Sequence, residues 1–135
     1  MIQTMKKVFY KCTFLLFISF CSCSTESEFE KELTNKSKKW VYVDNPTFNK
    51  NATINFYMKF SKSNVCTNYS LKNDEKSGES GKWSYSEKDS SFSVFGHEYK
   101  FLKINGDSIY VKYKKENFVA MFMNVTDTTT IKSSY

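Results

Sequence analysis

Arginine is absent: all 20 basic residues of this 135-residue chain are lysine. Proteins that grip phosphates and guanine edges lean on the bidentate guanidinium. The lysines form no basic stripe either, so no nucleic-acid partner is expected. Histidine occurs once, at His97, which leaves too few nitrogen and sulfur donors for a zinc set; no metal or other cofactor is expected. Four glycines supply neither a phosphate-cradling loop nor a nucleophile elbow. The longest apolar stretch, residues 8–21, is 14 residues interrupted by Lys11, short of the ~20 a membrane-spanning helix needs. Three of the four cysteines lie within the first 23 residues. Only Cys66 falls in the globular part, so no disulfide staples it and its core must hold it alone.

What is present begins with an address. Lys6, Lys7 and Lys11 make a positive head, residues 14–20 a short apolar middle, and Phe20-Cys21-Ser22-Cys23-Ser24 a small-residue exit, whether translation starts at Met1 or Met5. That order describes a removable secretory signal over residues 1–22. Phe20 is too large for the −3 site of ordinary signal peptidase. A large apolar residue at −3, Ser22 at −1 and Cys23 at +1 instead resemble the lipobox of bacterial lipoproteins. The resemblance implies diacylglycerol on the Cys23 sulfur, cleavage before it, an acylated N-terminus and a protein held on the membrane by two or three chains.

Residues 23–39 read as a flexible tether, rich in Glu26, Glu28, Glu30 and Glu32 and too polar to offset the cost of ordering. An acidic, serine-containing run just after the lipidated cysteine resembles the surface-export signal of Bacteroidetes lipoproteins. It implies the outer membrane and favours the domain on the cell surface over a periplasmic face. Removing residues 1–22 lowers the net charge from +6 to +3, with 17 lysines against 14 acids.

Residues 40–126 alternate with period two, and no amphipathic helix of convincing length appears among them. Strands are expected at 40–43, 52–60, 65–71, 81–85, 91–95, 99–104, 109–113 and 118–125. On the second, Ala52, Ile54, Phe56, Met58 and Phe60 share the inner face. On the third, Val65, Thr67, Tyr69 and Leu71 face in and Cys66 faces out. A slip of apolar phase between Phe101 and Leu102 predicts a bulge, and Asn105-Gly106-Asp107 predicts a hairpin turn. Residues 127–135 read as a polar tail. Eight short strands with a turn after each predict an all-β antiparallel meander, closed into a small barrel or partly open sandwich.

Trp40, the Gly81-Lys82-Trp83 opening of a middle strand, and the succession Phe92-x-Val94, Tyr99-x-Phe101 and Ile109-x-Val111 resemble the small lipocalin-like domains of bacterial lipoproteins. The chain departs from them at Lys38, where a glycine is usual. The resemblance implies a barrel with an interior ligand site, but no particular site residue carries over.

Trp40, Phe56, Trp83, Tyr85, Phe92, Tyr99, Phe101 and Phe122 are the candidate lining of that barrel. Either they wall an apolar pocket or they fill the interior outright, which eight short strands with bulky residues favour. A Cys66–His97 nucleophilic pair needs both on one side of the sheet, whereas Cys66 alternates with the inward residues. Glu87, Asp89 and Glu98 sit in or beside turns next to lysines, as a solvated rim does. No enzyme activity is expected. The sequence thus describes a lipid-anchored envelope lipoprotein whose β domain holds a small apolar ligand, or alternatively a filled barrel that serves as an interaction, inhibitor or scaffold module toward another envelope protein.

Overall fold

Strands with one apolar face must pair to satisfy their backbone groups and must bury that face together. The computed structural model describes residues 25–44, 51–125 and 130–132. Among these are one helix, α1 (Glu28–Leu33), and ten strands: β1 (Trp40–Val43), β2 (Asn51–Thr53), β3 (Phe56–Phe60), β4 (Val65–Ser70), β5 (Gly81–Ser86), β6 (Ser91–Val94), β7 (His97–Asn105), β8 (Ser108–Tyr113), β9 (Val119–Asn124) and β10 (Thr130–Lys132). Eight of them form a closed antiparallel barrel in the order β1-β3-β4-β5-β6-β7-β8-β9, with β9 returning to β1. The expected all-β meander is observed. Closure leaves the ring without a free edge. The signal segment and Cys23 lie outside the described residues. Among the described ones, no helix is long and apolar enough to cross a membrane.

Two local expectations hold in detail. The β7–β8 register shifts between Phe101 and Lys103, where the apolar phase slips. The turn that follows has Asn105 facing Ser108 and Gly106 at φ +57°, a conformation open to glycine at little cost.

The ring is tight on one side and loose on the other. β1 meets β9 over four residue pairs, from Trp40 opposite Asn124 to Val43 opposite Met121, but meets β3 only at Trp40 opposite Met58. This junction corrects the expected 52–60 strand. The chain leaves the ladder at Ile54 and Asn55, and β2 pairs instead with β10 in a separate two-stranded sheet. The expected polar tail therefore contains a strand. Phe56 keeps the phase of Met58 and Phe60 but stands beyond the last β1 partner, and is 53% exposed rather than interior.

On β4 the expected phase is reversed. Cys66 is fully buried in the interior, while Tyr69 and Leu71 pack on the outer face with Val41, Ile54, Tyr57 and Met121. The reason is a second apolar cluster outside the barrel wall: Tyr57 stacks on Tyr69 with ring centroids 5.4 Å apart. The Tyr57 hydroxyl donates to Asp74 (2.8 Å) and Lys39 donates to the same carboxylate (2.9 Å). These bonds hold Asp74 below the usual carboxylate range and lash the loop after β4 onto that cluster. Where both faces of a strand are apolar, period two gives the alternation but not its sign.

The largest correction concerns the tether. Residues 23–39 do not simply link: Glu28–Leu33 is helical, and its Phe29 and Leu33 are 2% and 1% exposed. Four residues apart on one helical face, they point together into the barrel. Phe29 stacks on Tyr85 (4.2 Å between centroids) and meets Phe101 and Phe92 edge-on at 4.9 and 5.0 Å. The Trp40 indole N–H donates to the Leu33 carbonyl at 3.0 Å. A six-residue helix does not persist alone in water. This one is started by a capping box, with the Glu30 amide donating to Ser27 Oγ (3.2 Å) and the Ser27 amide to Glu30 Oε2 (3.1 Å). Thr34 and Lys62 both donate to Glu26, tying the entry of the helix to the β3–β4 turn. The folded unit therefore includes α1, and one barrel end is plugged.

Phe29→Ala removes the ring that closes this end, and is expected to cost about 3–5 kcal/mol of unfolding free energy. Chemical denaturation of the two proteins, followed by tryptophan fluorescence, measures it.

Candidate functional site

With α1 filling one end, the interior is occupied by an aromatic column. Phe29 touches Phe92, Phe92 touches Phe122 at 5.6 Å, and Phe122 lies 5.4 Å from Tyr42 and 6.1 Å from Tyr99. Trp40 and Trp83 are buried beside it, and the Trp83 indole N–H donates to the Ser61 carbonyl at 3.0 Å. Tyr85 and Phe101 are half-buried against Phe29. Of the expected lining, then, Trp40, Trp83, Tyr85, Phe92 and Phe101 fill the plugged part. Phe56 is outside it. Tyr99, with Phe122, borders the space at the other end.

That space is a cup of about 400 Å³ at the opposite end. The end of β1, the β6–β7 turn and the β8–β9 turn form its rim. Tyr42, Met58, Val94, Tyr99, Phe118 and Phe122 make its walls and floor, while Asp44, Asn68, His97, Tyr113 and Glu116 bring polar groups to it. The tyrosines run as an arc: Tyr42 to Tyr99 at 6.0 Å, Tyr99 to Tyr113 at 5.3 Å, and Tyr113 to Phe118 at 5.4 Å. Burial, with the nearby Asp44 charge adding to it, pushes the Tyr42 and Tyr99 phenols above the usual tyrosine range. They are neutral hydrogen-bonding groups at any physiological pH. His97 Nδ1 lies 3.2 Å from the Tyr113 hydroxyl on the exposed rim.

One rim residue is strained. Phe95 has φ +49° and Gly96 +78°, so both central residues of the β6–β7 turn are left-handed. A bulky side chain there costs of the order of 1–3 kcal/mol. What holds it is Gly81: a Cβ at that position would sit 2.3 Å from the Phe95 ring. The ring occupies the space a side chain at Gly81 would need and forms part of the cup wall.

A groove of about 550 Å³ opens through the loose β1–β3 junction and shares Tyr42, Met58 and Asn68 with the cup. A second groove of about 550 Å³, beside the plug, is lined by Lys36, Lys59, Lys62 and Tyr69. Two of its lysines are engaged: Lys59 donates to the Lys36 carbonyl and Lys62 to Glu26.

The residues considered for catalysis do not assemble. Cys66 is buried in the column, and burial pushes its thiol up to about 12, whereas His97 is exposed and turned to Tyr113. Asp89 accepts from the Ser91 amide within its own turn, and Glu98 stands further along, opposite Ser93. Among the described residues no group of three His, Cys, Asp or Glu side chains is placed to hold a metal. Neither the cup nor the plug was legible as a site in the sequence. For the plug the signal was there in Ser27-x-x-Glu30, a capping box, together with Phe29 and Leu33 four apart.

The Cys66 assignment has a direct check. In the native protein at pH 8, iodoacetamide is expected to leave Cys66 unmodified for hours, and to alkylate it within minutes in guanidinium chloride, as peptide mass spectrometry reads out. Compared with protein-family models and with curated proteins, the chain matches no family model and no curated protein.

Proposed function

We propose that this protein is a cell-envelope lipoprotein, anchored in the outer membrane through diacylglycerol on Cys23, whose barrel is a non-enzymatic binding module holding a small, largely apolar molecule in the cup. The observation that carries the binding reading is the cup itself. Its volume of about 400 Å³ and its aromatic wall, with a few polar groups at the rim, suit a small organic ligand. The strained Phe95, held in place by Gly81, supports it further, because such strain persists where the surroundings enforce it and clusters at ligand sites.

The lipobox-like Phe20-Cys21-Ser22-Cys23 supports the anchor, and α1 changes what the anchor does. Glu26 is already bonded to Thr34 and Lys62 at the plugged end. It stands three positions after Cys23, a reach of about 10 Å. An acylated Cys23 holds the plugged end at the bilayer surface, and the cup then opens away from it. A second reading, in which the barrel docks on another envelope protein, draws on the filled column and on Phe56, 53% exposed beside the junction groove.

Replacing Cys23 with Ala is expected to abolish fatty-acid labelling and release the protein from the membrane fraction; retention of both labels and membrane would sink the anchor. Native mass spectrometry of the protein purified from its membrane is expected to show a bound small molecule. Met58→Trp, which fills the cup, should lose that mass with little change in melting temperature. A bare wild-type mass instead favours the docking reading.

A further inference from the structure

The β6–β7 turn breaks a local rule. Val94 pairs with His97, so Phe95 and Gly96 are its two central residues, at φ +49° and +78°. A turn of that hand takes Asn-Gly, Asp-Gly or Gly-Gly, because a left-handed residue brings its own Cβ against the following carbonyl. The other described non-glycine residues of left-handed φ are Asn64, Asp74, Ser90 and Asn117, all short and polar. Phe95 gains no core burial in return for its strain: it is 39% exposed, at the wall of the cup. Two contacts hold it there. Its amide donates to the Lys82 carbonyl (3.2 Å), and its ring fills the space beside Gly81, where a Cβ would meet three ring carbons at 2.3, 2.4 and 2.9 Å. Gly81 is not itself left-handed, so its backbone makes no demand for glycine. The Phe95 ring makes it.

From this arrangement we infer that Phe95 is the ligand contact that sets the cup's preference, for a flat aromatic ring system over a saturated body of the same framework, with Gly81 as its positioning residue. This rests on the binding reading given above and adds to it a ligand class and a residue. Strain of this kind persists where the surroundings enforce it, and it clusters at ligand sites. A ring already fixed in place has little freedom left to lose when a ligand meets it, which favours binding. Aromatic pairs attract beyond the area they bury, in offset or edge-on geometry. The rest of the described wall supplies rings of the same kind, from Tyr42, Tyr99, Tyr113, Phe118 and Phe122. A flat bicyclic body fits a cup of about 400 Å³ and can meet several of these rings in such geometry. A puckered, saturated one gains only dispersion from them.

The test uses two neutral probes, 2-naphthol and its fully hydrogenated counterpart decahydro-2-naphthol, titrated into the purified full chain at pH 7, well below the melting temperature of each variant. Methyl chemical shifts of Met58 and Val94, both in the lining, report binding. 2-Naphthol is expected to bind about tenfold more tightly than the saturated probe. Phe95→Gly, which relieves the strain, should weaken 2-naphthol about tenfold and the saturated probe about twofold, at an unchanged or raised melting temperature. Gly81→Ala should weaken 2-naphthol in the wild-type background but add nothing to Phe95→Gly, because without the ring the new methyl has room. Phe95→Asn, whose short side chain tolerates the same φ, serves if Phe95→Gly does not fold. Equal affinity of the wild type for the two probes, or equal losses of both in Phe95→Gly, overturns the preference for a flat ring. Undiminished binding of 2-naphthol by Phe95→Gly overturns the contact while leaving the cup as a site. Additive losses in the double variant overturn the positioning role of Gly81. Absence of binding of either probe to the wild type overturns the cup as a binding site and the role of Phe95 with it.

Discussion

The contact of the Phe29 ring with Tyr85, Phe92 and Phe101 is the constraint from which the rest of the structure follows. Eight strands enclose an interior just wide enough for side chains, and such a cylinder has two ends through which water can reach its core. Here one end is closed by residues that precede the barrel in the chain. Phe29 supplies the lid, Leu33 packs beneath it, and the Trp40 indole binds the Leu33 carbonyl, so the last turn of the helix and the first strand share one buried hydrogen bond. Closing that end lets the aromatic column continue unbroken to Phe122. The open space is thereby displaced to the far end.

The two ends consequently differ in chemistry. At the plugged end charges are neutralised locally: Lys62 with Glu26, and Lys38 with Glu32 and Asp107. Pairs at or near the surface add little stability each, but these tie the entering chain to the barrel. At the open end the described lining is mostly aromatic, from Tyr42, Phe95, Tyr99, Tyr113, Phe118 and Phe122. On the reading proposed above, an anchor before the helix would bring the bilayer to the plugged end and leave the cup facing away.

The barrel is also uneven around its circumference. Four residue pairs join β1 to β9, while one joins β1 to β3 and two join β4 to β5. The wall on that side is supported from outside, by the cluster around Val41, Tyr57 and Tyr69 and by the Asp74 bonds that hold the adjoining loop. The loose junction is where the groove leaves the cup. Any movement that widens the cup would be borne by those weakly paired strands rather than by the tightly registered β7–β8–β9 face.

Much of this was determined by the sequence alone, because it depends on local rules. Period-two alternation and turn residues specify eight strands, and Asn105-Gly106 and the Phe101–Leu102 slip specify a hairpin and a bulge without reference to anything distant. Trp83, Phe92 and Tyr99 face inward on strands whose other face is polar, so their orientation follows from pattern. What pattern could not decide is the sign of alternation on a strand apolar on both sides. Cys66 and Tyr69 therefore came out reversed, since only the packing of Tyr57 on Tyr69 shows which face is inside. Phe56 has the phase of an interior residue, but its exposure depends on where β1 stops pairing with β3, a fact of strand stagger. The plug is the sharpest case. Its residues sit in a segment whose composition is that of a solvated linker, and the helix is too short to exist without the barrel that Phe29 and Leu33 enter. The cup follows from it: only once tertiary structure has filled one end does the space at the other become defined.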